Sequence, residues 1–147
     1  MLYQKQTIYS IGYEGKTIED FLELLRARRI DIILDIRAND YSRKPDFIGA
    51  RLKKHCQNIG IDYRWIPDLG IPIKLRKDIK DREVLLHHYR NSILPLVSDK
   101  IKEIEDLIRT DKRVALVCME SNPLECHRSI ITDYLTSRSK SKVEHIQ

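Results

Sequence analysis

Apolar and polar positions recur along this chain with two periods, and the points where the period changes divide it into strands and helices. Thr7 to Gly12 (TIYSIG) is short, β-branched and aromatic, which suits a strand. From Thr17 to Arg29, Ile18, Phe21, Leu22, Leu24 and Leu25 fall at helical spacing, and Thr17 with Asp20 three positions on resembles a capping box. Asp31 to Arg37 (DIILDIR) has a nearly continuous apolar centre, as in a parallel strand covered on both faces. A polar loop, Ala38 to Asp46, leads to a helix over Phe47 to Asn58 that Gly60 is placed to cap. Ile61 to Ile66 alternates and predicts a third strand, less buried than the second and stopped by Pro67.

Asp68 to Lys80 is rich in Pro, Gly and Lys and lacks a period, which marks it as a flap. The tract from Arg82 to Thr110 is helical in pattern, and Pro95 divides it in two because proline removes a backbone donor and clashes with the preceding turn. Arg113 to Cys118 (RVALVC) predicts a fourth buried strand, and Asn122-Pro123, with Glu125 behind them, predicts the start of a last helix. The expected fold is α/β, a three-layer sandwich with a mainly parallel four-stranded sheet and helices on both faces. Residues 1–136 are expected to form one domain and 137–147 a frayed basic tail.

Length and composition agree with that outline: 147 residues with 41% hydrophobic content suffice for one packed domain. Twenty-seven Lys and Arg against 22 Asp and Glu leave a charge of +5, which favours anionic partners, a small molecule or a nucleic acid. No apolar run reaches the ~20 residues of a membrane span, and Met1 to Ser10 is too polar for a secretory signal, so a cytoplasmic protein without membrane partners is expected. Three cysteines point to reduced thiols or metal ligands and away from a disulfide framework.

In open parallel sheets ligands gather outside the carboxyl ends of the strands. Gly12-Tyr13-Glu14, Asp35 and Arg37 with Ser42-Arg43, and Cys118 to Arg128 all fall at that edge of the predicted sheet. In the last segment a thiol ends a strand just before a helix start, whose free N–H groups favour a thiolate or a bound anion. Cys118 is thereby the candidate nucleophile, with Glu120 and His127 to move protons. Gly12, Tyr13, Asp35, Arg37, Ser42, Arg43 and Arg128 are the candidate anion-binding residues. Burial of Arg128 demands a partner, for which Asp35 and Glu120 are the candidates. The spacing differs from that of the cysteine phosphatases, which place an arginine six residues after the nucleophile, where this chain has Leu124. Cys118, Cys126 and His127 are also donors of the kinds zinc prefers. No organic cofactor is expected, and zinc is the ion this set would accept.

The segments IGYEG, LDIRANDYSRKPDF, YRWIPDLG and LVCMESNPLECHRSIITDYL, in this order over about Ile8 to Leu135, resemble the family catalogued as domain of unknown function 488. The most specific element of the resemblance is Cys-x-Glu-x5-Cys-His-Arg at Cys118, Glu120, Cys126, His127 and Arg128. Asp35 with Arg37 and Ser42 with Arg43 match further pairs. Tyr13 stands where members commonly carry histidine, Asp40 where proline is usual, and Ile71 where a second glycine often follows Gly70. The resemblance implies a three-layer α/β fold with a polar pocket at the strand ends.

Three functions fit this reading. The leading one is a small enzyme acting on an anionic substrate through a Cys/His/Arg site. The others are a non-catalytic nucleic-acid-binding module built on Tyr41 to Lys54 and Lys74 to Arg82, and a structural metal protein using Cys118, Cys126 and His127.

Overall fold

A computed structural model of the chain describes residues 6–147, so part of the polar Met1 to Ser10 segment lies outside the described residues. The elements follow in the order β1 (Thr7–Gly12), α1 (Ile18–Ala27), β2 (Ile32–Asp35), α2 (Gly49–Gln57), β3 (Asp62–Trp65) and α3 (Ile73–Asp78). Then come α4 (Arg82–His88), α5 (Ser98–Arg109), β4 (Val114–Cys118), α6 (His127–Arg138) and β5 (Lys142–Ile146). Local chemistry sets several of these limits. The Thr17 side chain accepts from the Asp20 N–H at 3.1 Å and starts α1. Gly60 takes φ +79° just beyond α2, a conformation that glycine adopts without strain. Around Pro95 the helical tract breaks into a π-helical turn (Tyr89–Ile93) and a 3-10 turn (Leu94–Val97) before α5 begins.

Five strands form one parallel sheet in the order β3-β2-β4-β1-β5. The expected architecture is present with one strand more than the sequence predicts. The segment taken for a frayed tail supplies it: β5 pairs along β1, from Thr7 opposite Lys142 to Ile11 opposite Ile146. Its polar residues conceal the pattern, since Val143 and Ile146 are its only aliphatic positions and only Ile146 is fully buried.

Alternation along the strands sorts side chains between two cores. Ile8, Leu34, Leu116 and Cys118 face α5 and α6, whereas Tyr9, Ile33, Ala115 and Val117 face α1 and α2. The loop after β4 leaves toward the α5/α6 side, and the loops after its neighbours β1 and β2 leave toward the other. The segments after β1 and β4 nevertheless stay joined at first, with the Tyr13 and Glu14 N–H groups donating to the Cys118 and Met119 carbonyls at 3.1 and 2.8 Å. The expected flap is built more firmly at its start than its composition suggests: Leu69, Gly70 and Ile71 are buried, and the Tyr89 hydroxyl donates to the Leu69 carbonyl at 2.6 Å. Only from α3 onward does this segment become an exposed strap. Among the described residues no helix is long and apolar enough to cross a membrane.

Candidate functional site

The loop after β4 is fixed by a glycine and an arginine. A Cβ on Gly12 would lie 1.7 Å from the Glu120 carbonyl oxygen, so Met119 to Ser121 crosses directly over β1 only because residue 12 has no side chain. From the other side Arg128, fully buried in α6, donates Nη1 to the Glu120 carbonyl at 2.5 Å and Nη2 to the Ser121 carbonyl at 3.2 Å. Its Nε donates to Ser10 Oγ at 3.1 Å, and Ser10 Oγ in turn lies 2.5 Å from His145 Nδ1 on β5. With three of its five N–H donors engaged and the side chain fully buried, Arg128 shapes the loop. Its partners are carbonyls and a hydroxyl, in place of the carboxylates of Asp35 or Glu120.

This scaffold gathers Cys118, Glu120, Cys126 and His127. The last helix starts later than Asn122-Pro123 predicts. Asn122 caps a 3-10 turn (Pro123–Glu125), and Cys126 occupies the N-cap position of α6. His127 Nδ1 lies 3.8 Å from Cys126 Sγ and 4.0 Å from Cys118 Sγ, while its Nε2 meets the Ile36 carbonyl at 2.9 Å. A carbonyl only accepts, so Nε2 carries the proton and Nδ1 presents a lone pair to the sulfurs. The Tyr89 ring closes over the imidazole edge to face at 5.2 Å. Cys118 Sγ also approaches Glu120 Oε2 at 3.4 Å, and Glu120 Oε1 lies 3.7 Å from Arg76 Nη1.

The two buried thiols interact electrostatically as a pair. Cys118 is held well above the ordinary thiol range, first by the neighbouring Cys126 sulfur and then by burial. Burial also opposes ionisation of Cys126, but the neighbouring Cys118, His127 and Arg128 outweigh it and hold this thiol well below that range. Glu120 is raised by burial and by Cys126. Both sulfurs are about 1% exposed. Cys126, and not Cys118, is the sulfur at the helix start.

The other predicted residues form a separate cluster across the sheet. Asp35 stands in register with Val117 and so faces α1 and α2, opposite Cys118. Its carboxylate takes Arg37 Nε at 2.8 Å and Nη2 at 2.6 Å together with the Tyr63 hydroxyl at 2.6 Å, and Arg37 Nη1 reaches the Tyr13 hydroxyl at 3.5 Å. Arg37 and Asp35 are buried and engage each other, so this pair pins the loop after β2 and leaves no charge for a ligand. Ser42 Oγ accepts from the Lys44 N–H in a local turn, and Arg43 is exposed. The single pocket anticipated from Gly12, Asp35, Arg37, Arg43 and Cys118 is therefore two clusters on opposite faces.

A cleft of about 190 Å³ does open beside Glu120, but its cations come from the strap. Arg76, Lys80 and Arg82 line it with Glu120 and Glu125, and His127 lies at its floor. Arg82 pairs with Glu125 at 3.1 Å across half-exposed side chains. The basic run is plain in the sequence, but the fold was needed to carry it across the end of β4.

Comparison with known families gives one match: the model described as "Domain of unknown function DUF488" covers residues 17–135. The chain belongs to this family. The matched span contains Asp35, Arg37, the strap and the whole of Cys118 to Arg128, and it begins after Gly12 and Tyr13. Of the family pattern noted above, its Cys-x-Glu-x5-Cys-His-Arg string is the part that builds the cluster beside the cleft. No curated protein and no solved structure matches the chain.

Proposed function

We propose that the protein binds and acts on a small anionic substrate in the cleft between the strap and the loop after β4. One observation carries this reading: Arg76, Lys80 and Arg82 line the same small cavity as Glu120, with His127 beneath. Cations on one wall and a largely buried carboxylate on the floor suit an oxyanion held next to a proton-transfer group. The Arg82–Glu125 and Arg76–Glu120 pairs are partly exposed and weak, so a ligand can exchange into them at little cost. A cavity of about 190 Å³ admits a phosphoryl or carboxylate group with few further atoms. Both sulfurs are buried, and Glu120 and His127 are the candidate proton-transfer groups that line the cleft.

An extended nucleic acid is favoured less. Tyr41 to Lys54 ends in α2, against one face of the sheet, whereas Lys74 to Arg82 lies over the other, so the two basic stretches belong to different layers. Calorimetric titration at low salt with inorganic phosphate, a mononucleotide and single-stranded DNA tests the reading. The small anions are expected to bind, and Arg76→Ala with Lys80→Ala to weaken them at least tenfold. Absence of small-anion binding, or binding unchanged in that double variant, removes the proposal.

A further inference from the structure

We infer that Cys118 Sγ, Cys126 Sγ and His127 Nδ1 form a binding site for one thiophilic divalent ion of the zinc class, with its fourth position directed toward Glu120. The three donor atoms lie within 4.8 Å of one another on buried side chains. Tetrahedral zinc, with Zn–S of about 2.3 Å and Zn–N of about 2.0–2.1 Å, sets each sulfur about 3.5–3.6 Å from the nitrogen. The present separations of 3.8 and 4.0 Å exceed that by only a few tenths of an ångström.

The imidazole supplies the deciding detail. Its Nε2 proton is committed to the Ile36 carbonyl, the arrangement by which metal-bound histidines fix their tautomer and aim the other nitrogen. Nδ1 then has two sulfurs for company and no oxygen or nitrogen donor among the described residues. If the cluster were ordinary core packing, this buried acceptor would be served only by two long contacts from thiols, which are weak donors. An ion satisfies all three donors together. Two thiolates and a neutral imidazole select a soft ion over magnesium or calcium, which prefer oxygen.

The surroundings are built to hold that geometry. Arg128 clamps the carbonyls of Glu120 and Ser121, fixing the loop that joins the first ligand to the other two. Glu120 lines the cleft beside His127 and lies 3.4 Å from Cys118 Sγ, so its carboxylate can complete the coordination or yield that position. The anion proposal above bears only on what the ion would act upon. The site itself rests on the donors and their geometry.

Cobalt(II) titration of the full chain, stripped of metal by chelator and kept reduced, decides the matter. The expected result is one equivalent bound, with thiolate charge-transfer absorption and the intense visible bands of tetrahedral cobalt, bleached when zinc is added. Cys126→Ser and His127→Gln should each lose that spectrum, whereas Cys56→Ser, altered in the opposite core, should keep it. Failure of the wild-type protein to take up cobalt or zinc overturns the inference even if the variants do not fold. So does an octahedral spectrum without thiolate bands. Phosphate titrations of the stripped and zinc-loaded chains separate the two proposals. Zinc uptake without phosphate binding keeps this site and removes the anion reading, and phosphate binding without metal uptake does the reverse.

Discussion

Replacing Gly12 with alanine tests the loop that positions every residue of the cluster. The new Cβ would lie 1.7 Å from the Glu120 carbonyl oxygen and 2.5 Å from its carbon, and both belong to backbone that has no rotamer to escape into. Restoring ordinary contact moves the loop by about 1.5 Å, which stretches the 2.5 Å bond from Arg128 Nη1 beyond hydrogen-bonding range. Loss of a bond to a charged donor costs about 1.5–3 kcal/mol, and overpacking typically adds about 1–3 kcal/mol. Gly12→Ala should therefore destabilise by about 3–5 kcal/mol, a fall in Tm of roughly 10 °C at ~2–4 °C per kcal/mol for a chain of this size. Gly15→Ala is the matched control: Gly15 has φ +75° with nothing within 4 Å of its would-be Cβ, so only backbone strain of about 1–2 kcal/mol applies. Urea unfolding of both variants supplies the comparison. Equal losses, or a Gly12→Ala protein within 1 kcal/mol of the parent, would refute the close approach.

Two further outcomes follow from buried groups. Asp35→Ala strands the Arg37 guanidinium in a buried setting and should cost about 3–5 kcal/mol, most of it recovered in Asp35→Leu/Arg37→Met; denaturant midpoints check this, and a mild single variant would sink it. His145 is lowered below its ordinary value, first by burial and then by Arg128, with Asp133 and Cys126 opposing. The unfolded chain therefore takes up this proton first, so stability is lost as pH falls below about 6.5 and levels off once the folded state is protonated as well. His145→Gln should flatten that slope in a pH series of unfolding curves, and an unchanged slope would remove His145 as its source.

The strand and helix pattern was readable because the inner strands are nearly pure apolar runs: Ile32 to Leu34 and Val114 to Val117 admit little other than a doubly covered sheet. β5 was not, since Lys142, Glu144 and His145 mask its two aliphatic positions, and its place is set by pairing with β1. The candidate site was legible in part. Cys118, Glu120, Cys126 and His127 do converge. Asp35 and Arg37 do reach the same sheet edge, but the two-residue alternation that separates register partners of Val117 from Cys118 puts them on the opposite face. Arg76, Lys80 and Arg82 carry no local signal that distinguishes them from solvated charge; only the path of the strap brings them over Glu120.

The strand order also bears on how the chain is made. β1 is synthesised first among the strands, yet both of its neighbours, β4 and β5, come from the last third of the sequence. At ~5–20 residues per second, about 100 residues separate Gly12 from Cys118 and correspond to roughly 5–20 s of translation. Throughout that interval the apolar TIYSIG segment has neither of its native partners, whereas β2 and β3 can already pair. The nascent chain thus carries an open hydrophobic edge until β4 emerges, and cotranslational chaperone capture or misassembly would be concentrated there.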